Sequence, residues 1–216
     1  AGYAYNLNTP QVDEFWFTDG TRFPIANFFI TEGDDLILGS SSADTLDALG
    51  GNDFVFGQAG NDTIQGGLGN DIIVGQEGND TTDGGAGNDT LYGSAYYNNS
   101  SQALAQYANN GNDTYLFGRG DGQDTIIDWN SGDDFDVLRF KGDLAPADVQ
   151  IARNLNNLIF SIPGSNDSIT IQEFFAESDY RVGLAGNRRI ELVAFSDGTT
   201  WDVDYLTSAV LTGTPE

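Results

Sequence analysis

Apolar residues recur at nine-residue intervals through the first half of the chain. Strand-like triplets such as Phe54-Val55-Phe56 follow one another at this spacing. Side chains alternate between the two faces of a strand, so only the central residue of each triplet has to point inward. The pattern therefore predicts a row of inward side chains: Ile37, Leu46, Val55, Ile64, Ile73, Thr82 and Leu91. Thr82 is polar, and we expect it to loosen its strand.

The segments between the triplets are six residues long, polar and rich in glycine. Each segment ends in an aspartate, and most of these aspartates are preceded by Gly-Asn. A repeat made of a short strand and a turn predicts a solenoid, here with two repeats and 18 residues in each coil. Turns 18 residues apart would then stack on the same edge. The aspartates divide between two edges, with Asp35, Asp53, Asp71 and Asp89 on one and Asp44, Asp62 and Asp80 on the other.

The composition limits the chemistry that this chain can perform. Its formal net charge is −25, which argues against binding to nucleic acid or to an anionic membrane. A hydrophobic fraction of 39% is too high for a disordered acidic tail. The chain has no cysteine and no histidine, which excludes thiolate nucleophiles, Ser-His-Asp triads and most transition-metal sites. Oxygen ligands remain, and they suit a hard cation such as Ca²⁺.

Two blocks of the repeat match a known calcium-binding nonapeptide. GGLGNDIIV (66–74) and GGAGNDTLY (84–92) fit the pattern GGxGxDxUx. On these motifs the chain resembles the RTX, or haemolysin-type calcium-binding, repeat family. The stretch GNDTYLFGRGDGQDTI (111–126) resembles the closing segment of RTX blocks, and the residues beyond it resemble the haemolysin-related domain that follows such blocks.

The resemblance implies an all-β fold with a specific architecture. We expect a right-handed parallel β-roll, a type of β-solenoid, followed by a small antiparallel β-rich cap with one or two short helices. The helices are expected near Pro146–Gln150 and Ile171–Ala176. The expected divisions are an N-terminal strand segment (1–29) that ends a preceding unit or caps the roll, the roll (30–126) with a 15-residue insertion at 96–110, and the cap (127–216).

The resemblance also implies which residues bind calcium. In the family, each ion lies between two turns 18 residues apart and takes aspartate carboxylates and backbone carbonyls from both. Carried onto this chain, about seven Ca²⁺ ions would be bound by Asp35, Asp44, Asp53, Asp62, Asp71, Asp80, Asp89, Asp113, Asp124, Gly33, Leu49, Gly50, Gly51, Gln58, Ala59, Gly60, Gly66, Gly67, Leu68, Gly69, Gly75, Gln76, Glu77, Gly78, Gly84, Gly85, Ala86 and Gly87. The turn before Asp44 reads Ser-Ser-Ser-Ala and lacks glycine, so we expect incomplete occupancy there.

A third group of acidic residues, Asp133, Asp134 and Asp136, allows two interpretations. Paired carboxylates could act as the acid and base of a glycosidase. We favour a last turn or a calcium site at the end of the roll. The sequence contains no GxSxG motif, phosphate-binding loop or dinucleotide-binding motif, so we predict that the chain is not an enzyme.

The resemblance implies a function in a large secreted bacterial protein, either a toxin or an adhesin with a role in virulence. The chain would be disordered without Ca²⁺, pass through the type I secretion machinery, and fold as a monomeric extender domain beside its neighbouring domains outside the cell. The alternative is a ligand-binding domain of an adhesin, in which loop 96–110 or the cap binds glycan or peptide.

Overall fold

The computed structural model describes residues 14–16, 22–24, 30–93, 111–128, 134–176 and 190–212. Strands β1 (Glu14–Trp16) and β2 (Arg22–Pro24) form an antiparallel pair. The remainder of the expected N-terminal segment and the insertion at 96–110 lie outside the described residues. Among the described residues, no helix has the length and apolar character needed to cross a membrane.

The repeats form ten short strands that alternate between two sheets. These strands are β3 (Leu36–Leu38), β4 (Thr45–Asp47), β5 (Phe54–Ala59), β6 (Thr63–Leu68), β7 (Ile72–Glu77), β8 (Thr81–Ala86), β9 (Thr90–Tyr92), β10 (Thr114–Phe117), β11 (Gln123–Ile127) and β12 (Val137–Phe140). The odd-numbered strands pair in parallel in one sheet, and the even-numbered strands pair in parallel in the other. This arrangement is the expected parallel β-roll, with two repeats in each coil.

The register of both sheets follows the nine-residue spacing. Ile37 is paired with Val55, which is paired with Ile73 in the next coil. All seven side chains predicted to point inward are buried, including Thr82, which is 1% exposed. The Thr82 hydroxyl has no hydrogen-bond partner, so this position lacks the apolar contact that its neighbours make and gains no polar contact in return.

Parallel pairing continues beyond residue 126 into the C-terminal region. Strand β15 (Ser168–Ile171) pairs in parallel with β11, and β16 (Leu192–Ala194) pairs in parallel with β12. Antiparallel strands then cover these additions: β14 (Asn157–Ser161) pairs with β15, β13 (Gln150–Asn154) with β14, and β17 (Thr200–Asp202) with β16. The final coil is therefore covered by antiparallel strands.

The C-terminal region has an aromatic core, in contrast to the aliphatic core of the roll. Phe140 contacts Phe117, Phe160 and Phe195, with ring centroids 5.0–6.3 Å apart. Trp201 packs edge-on against Phe195 and is 7% exposed, as expected for a buried strand residue. These rings fill the end of the roll, where a thin aliphatic layer alone would leave the last coil open to solvent.

The helices agree only in part with the expected positions. A 3-10 helix spans Pro146–Asp148, as predicted. The helix predicted at 171–176 is wrong: Ile171 ends β15, where it pairs with both Leu158 and Ile126, and a turn follows. The α-helix α1 (Val203–Thr212) was not predicted, although the Asp202 carboxylate accepts the Tyr205 amide proton at 2.8 Å, in the manner of a helix cap.

Candidate metal centre

Stacking of the turns gathers the predicted aspartates into two rows. The first row contains Asp35, Asp53, Asp71, Asp89 and Asp124. The second row contains Asp44, Asp62, Asp80, Asp113 and Asp136. Asp113 and Asp124 depart from the nine-residue spacing, but the sheet register places them directly beside Asp80 and Asp89.

One type of hydrogen bond holds each row together. The backbone amide of each aspartate donates to Oδ1 of the aspartate in the next coil, at 2.7–3.0 Å. The second row ends where the Asp136 amide donates to Oε2 of Glu191, at 2.8 Å. Each carboxylate after the first in its row thus uses one oxygen to hold the preceding coil.

The second carboxylate oxygen is left without a partner. In the described part of the chain, Oδ2 is buried and accepts no hydrogen bond in six aspartates of the two rows: Asp53, Asp62, Asp71, Asp80, Asp89 and Asp124. A buried, unpartnered carboxylate oxygen is costly, and such groups are normally paired or bound to a metal. Their repetition along both rows marks positions that a cation could fill.

Glycine at the start of each turn makes room for this oxygen. A Cβ built on Gly57, Gly66, Gly75 or Gly84 would overlap Oδ2 of the aspartate that ends the same turn. Backbone carbonyls of the next coil approach the same space. A Cβ on Gly66 would also meet the carbonyl oxygen of Gly84, and a Cβ on Gly57 would meet that of Gly75. Carboxylate and carbonyl oxygens therefore converge between stacked turns.

The structure brings together the turn pairs expected to share an ion. In the pair 66–71 and 84–89, the Gly69 amide donates to the carbonyl of Ala86 at 2.8 Å. In the pair 48–53 and 66–71, the Gly51 amide donates to the carbonyl of Leu68 at 2.8 Å. On the other edge, the Gly60 amide donates to the backbone carbonyl of Glu77 at 2.8 Å. The remaining named turn residues, Gly33, Leu49, Gly50, Gln58, Ala59, Gln76, Gly78 and Gly87, lie in these stacks or the turns beside them.

The first two turns differ from the later ones. Oδ2 of Asp35 accepts hydrogen bonds from the backbone and the hydroxyl of Thr31, at 2.7 and 3.0 Å. Oδ2 of Asp44 accepts the Ser40 amide proton at 2.6 Å. Both carboxylates are satisfied inside their own turns, so they present a weaker demand for a cation than the six buried ones.

Burial makes the carboxylates of both rows difficult to ionise without a cation. Desolvation raises the pKa of Asp62, Asp71 and Asp80 from 3.8 to about 6, and that of Asp89 to about 7. The pKa of Asp124 rises to about 8 and that of Asp113 to about 10, again because of burial, with charge repulsion from neighbouring aspartates adding to the effect. The largest shifts fall among the last aspartates of each row, where burial also raises the pKa of Asp136.

Sequence reasoning missed two further features of the turns. The first is a row of asparagines: the amide of Asn70 donates to Oδ1 of Asn52, and that of Asn88 to Oδ1 of Asn70, both at 2.8 Å. The Gly-Asn-Asp repeat in the sequence was the signal from which this row of asparagines could have been predicted. These bonds run in the opposite direction to the aspartate bonds, so each turn is tied to both of its neighbours.

The second missed feature is the acidic end of each row. Asp113, Asp128 and Asp136 are buried, with carboxylate oxygens within 4.8 Å of one another. At the end of the first row, the ammonium of Lys141 lies 2.7 Å from Asp83 and 2.8 Å from Asp121. From the sequence, Asp113 was predicted to bind calcium and Asp136 to belong to a last turn or a calcium site, whereas Asp128 was not singled out. Asp133 and loop 96–110 lie outside the described residues.

Comparison with known families agrees with this geometry. Residues 29–64 and 56–91 match the RTX calcium-binding nonapeptide repeat, described as four copies, and residues 157–205 match the haemolysin-type calcium binding protein related domain. No curated protein matches the chain. Buried carboxylate oxygens framed by carbonyls are the ligand set that Ca²⁺ takes, and the residues present fit that ion. The chain therefore contains RTX calcium-binding nonapeptide repeats followed by a haemolysin-type calcium-binding-protein-related domain, in an all-β parallel β-roll.

Proposed function

We propose that this chain is a folding-switch module: it is expanded without Ca²⁺ and becomes a rigid rod when Ca²⁺ binds. The observation that carries the proposal is the set of six buried Oδ2 atoms without partners. We further propose that residues 30–126 form the switching roll, and that the cap at 127–216 covers its C-terminal end.

Repulsion along the rows supports a requirement for cations. Two unit charges about 5 Å apart repel by roughly 3 kcal/mol at an effective dielectric constant near 20. Each row stacks ionisable carboxylates through consecutive coils. Either protonation of the carboxylates or binding of a cation would relieve their repulsion. A divalent ion between two carboxylates turns this repulsion into attraction at neutral pH.

The number of ions makes the effect large compared with the stability of a domain. An ion held at ten times its Kd contributes about 1.4 kcal/mol to the folded state, so about seven ions contribute roughly 10 kcal/mol. The whole free energy of unfolding of a domain is about 5–15 kcal/mol. Calcium binding can therefore decide whether this thin roll is folded.

The charge of the chain supports a role in secretion. At −25, the calcium-free chain repels itself and favours an expanded state, which suits passage through a narrow export channel. About seven divalent ions would leave a net charge near −11, which is still high enough for solubility. Extracellular calcium modules bind with Kd values of about 10⁻⁴–10⁻³ M, so the chain would fold after export by the type I machinery.

Small-angle X-ray scattering of the full chain tests the proposal. A folded chain of 216 residues has a radius of gyration of about 17 Å if compact, and an unfolded one has about 50 Å. We expect a value near the larger figure in EDTA and a value nearer the smaller one, raised by the rod shape, at millimolar Ca²⁺. An equally compact chain in both conditions would refute the folding switch.

A further inference from the structure

Asp128 occupies a position that belongs to glycine in the preceding coils. Strand register aligns Gly57 with Gly75, Gly75 with Gly93 and Gly93 with Asp128, because Val74 pairs with Tyr92 and Tyr92 pairs with Ile127. In the coils of Gly57 and Gly75, this position must lack a side chain, since a Cβ would overlap Oδ2 of Asp62 or Asp80. The last turn of the second row instead carries an additional carboxylate at this position.

The additional carboxylate lies against the end of the second row. Asp113, Asp128 and Asp136 each offer an oxygen within 4.8 Å of the others, and their exposures are 2%, 5% and 2%. The Asp113 amide donates to Oδ1 of Asp136 at 2.8 Å, which fixes the two turns in register. A Cβ built on Gly93 would lie 2.6 Å from Oδ2 of Asp113 and 3.1 Å from Oδ2 of Asp128, so both oxygens face one small space.

An unpartnered oxygen in the adjoining turn points independently to a cation at this end of the row. Asp80 is 1% exposed, and its Oδ2 accepts no hydrogen bond. Its amide donates to Oδ1 of Asp113 at 2.8 Å, so its turn is stacked directly on the cluster. Oδ2 of Asp80 and Oδ2 of Asp113 take equivalent places beside Gly75 and Gly93, and so the unpartnered oxygen belongs to the same line of oxygens.

A buried tyrosine holds the additional carboxylate in place. The hydroxyl of Tyr115 donates to Oδ2 of Asp128 at 2.7 Å, and the Tyr115 side chain is fully buried. Tyr115 takes the inward position that Thr82 and Ile64 take in the preceding coils, so its ring reaches across the roll from the β10 side. A carboxylate oriented by a donor outside the cluster is typical of a built metal site, in which neighbouring groups position the ligands.

We propose that Asp113, Asp128 and Asp136 form a three-carboxylate calcium site that closes the second row and binds Ca²⁺ more tightly than the two-carboxylate sites between the nonapeptide turns. The proposal rests on the proposed function for its ion. Calcium affinity rises with the number of charged ligands, and three carboxylates carry one more negative charge than a pair of stacked turns supplies. The same charge favours a trivalent ion over a divalent one.

Calcium titration of the full chain against a chromophoric chelator tests the site. The test variant is Asp128→Gly, which restores the residue found at Gly57, Gly75 and Gly93. We expect the tightest binding step to weaken by about tenfold while the total number of ions stays the same. The control is Asp143→Asn, which removes one charge from an exposed position in the same region and should leave that step unchanged.

A second variant allows the test to be made if Asp128→Gly does not fold. Asp128→Asn keeps the size of the side chain and an oxygen for the Tyr115 hydroxyl, and removes the charge. We expect it to weaken the tightest step to a similar extent and to reduce the preference for Tb³⁺ over Ca²⁺, which a merely structural role would not change. The proposal is overturned if both variants bind within twofold of the unmodified chain with the same ion preference.

The outcomes separate this site from the folding switch. A chain that is already folded in EDTA, but whose tightest step depends on Asp128, would refute the switch and keep the site. A chain that folds with Ca²⁺ while its tightest step ignores Asp128 would keep the switch and refute the site.

Discussion

At the scale of single residues, six aspartates of the two rows divide two tasks between their two oxygens. Oδ1 accepts the amide of the preceding coil, as Oδ1 of Asp89 does from Asp71 at 2.8 Å, and Oδ2 remains buried and unpartnered. The first task is satisfied by the protein alone. The second requires a cation or a proton, and so calcium concentration and pH should act on the same atoms.

The pH dependence follows from the direction of the pKa shifts. Burial raises the pKa from 3.8 to about 6 for Asp71, about 7 for Asp89 and about 8 for Asp124 in the folded, calcium-free chain. A raised pKa means that the folded state holds more protons than the unfolded state. The stability from these groups is therefore complete below pH 4 and is lost as the pH rises through 6 to 8.

We accordingly predict that acid partly replaces calcium. Far-UV circular dichroism of the EDTA-treated chain should show more β structure at pH 5 than at pH 8. Calcium affinity should change in the opposite direction and fall at low pH, because the ligands must lose their protons to bind the ion. A calcium-free chain whose β signal is constant, or grows from pH 5 to pH 8, would contradict the assignment of Oδ2 as the sensitive atom.

A second residue-scale prediction concerns the glycine that begins each turn. Gly84→Ala should destabilise the calcium-bound chain by about 1–3 kcal/mol, because the new methyl group overlaps Oδ2 of Asp89. Gly33→Ala is the matched control, since the nearest atom to its methyl group is the Thr31 hydroxyl oxygen at 3.6 Å. Urea unfolding at saturating Ca²⁺ measures both variants. Equal effects of the two substitutions would show that the turn does not need the space beside the carboxylate.

At the scale of elements, the two rows end differently. The second row ends in the carboxylates of Asp113, Asp128 and Asp136. Beside the end of the first row lies Lys141, the residue that directly follows β12. Its ammonium lies between Asp83 on β8 and Asp121 in the turn before β11. The ammonium thus links three elements through ion pairs, and its positive charge is supplied by the protein rather than by a bound metal ion.

We predict that Lys141→Met lowers the free energy of unfolding at saturating Ca²⁺ by about 1–2 kcal/mol, because it leaves Asp83 and the buried Asp121 without their cation. Arg119→Met provides the comparison. Its pair with Asp148 is 3.6 Å long and exposed, so its loss should change the stability little. If the two variants unfold at the same urea concentration, the Lys141 contacts do not hold the end of the roll.

The roll itself was predictable from the sequence, because its period of nine residues fixes the inward side chains, the alternation between sheets and the stacking of the aspartates. Structural features outside the nine-residue period were not predictable from the sequence. Leu49, Gln58 and Gln76 adopt positive φ, which no pattern in their residue types indicates. Asp128 lies beside the second row through a register that the broken nine-residue spacing hides. Helix α1 depends on the burial of Leu206 and Ala209 as much as on its own sequence.

At the scale of the whole molecule, the cost of burying charge is higher at the C-terminal end of the roll than at its N-terminal end. The first turns satisfy Asp35 and Asp44 within themselves, and the pKa shifts are larger for Asp113 and Asp124 near the other end of the roll. The cost of ionising the buried carboxylates is therefore greatest toward the C-terminal end of the roll. Folding of the roll and its cap should depend on calcium as one cooperative unit.

Far-UV circular dichroism of the EDTA-treated full chain, titrated with Ca²⁺ at pH 7.5 and in parallel with Mg²⁺, tests this account most directly. We predict a cooperative rise in β signal with Ca²⁺ and little change with Mg²⁺, because Mg²⁺ requires a small octahedral shell and keeps its waters, while stacked carbonyls and carboxylates suit the larger ion. A spectrum already fully β in EDTA and unchanged by Ca²⁺, or an equal response to both ions, would contradict the calcium-dependent fold.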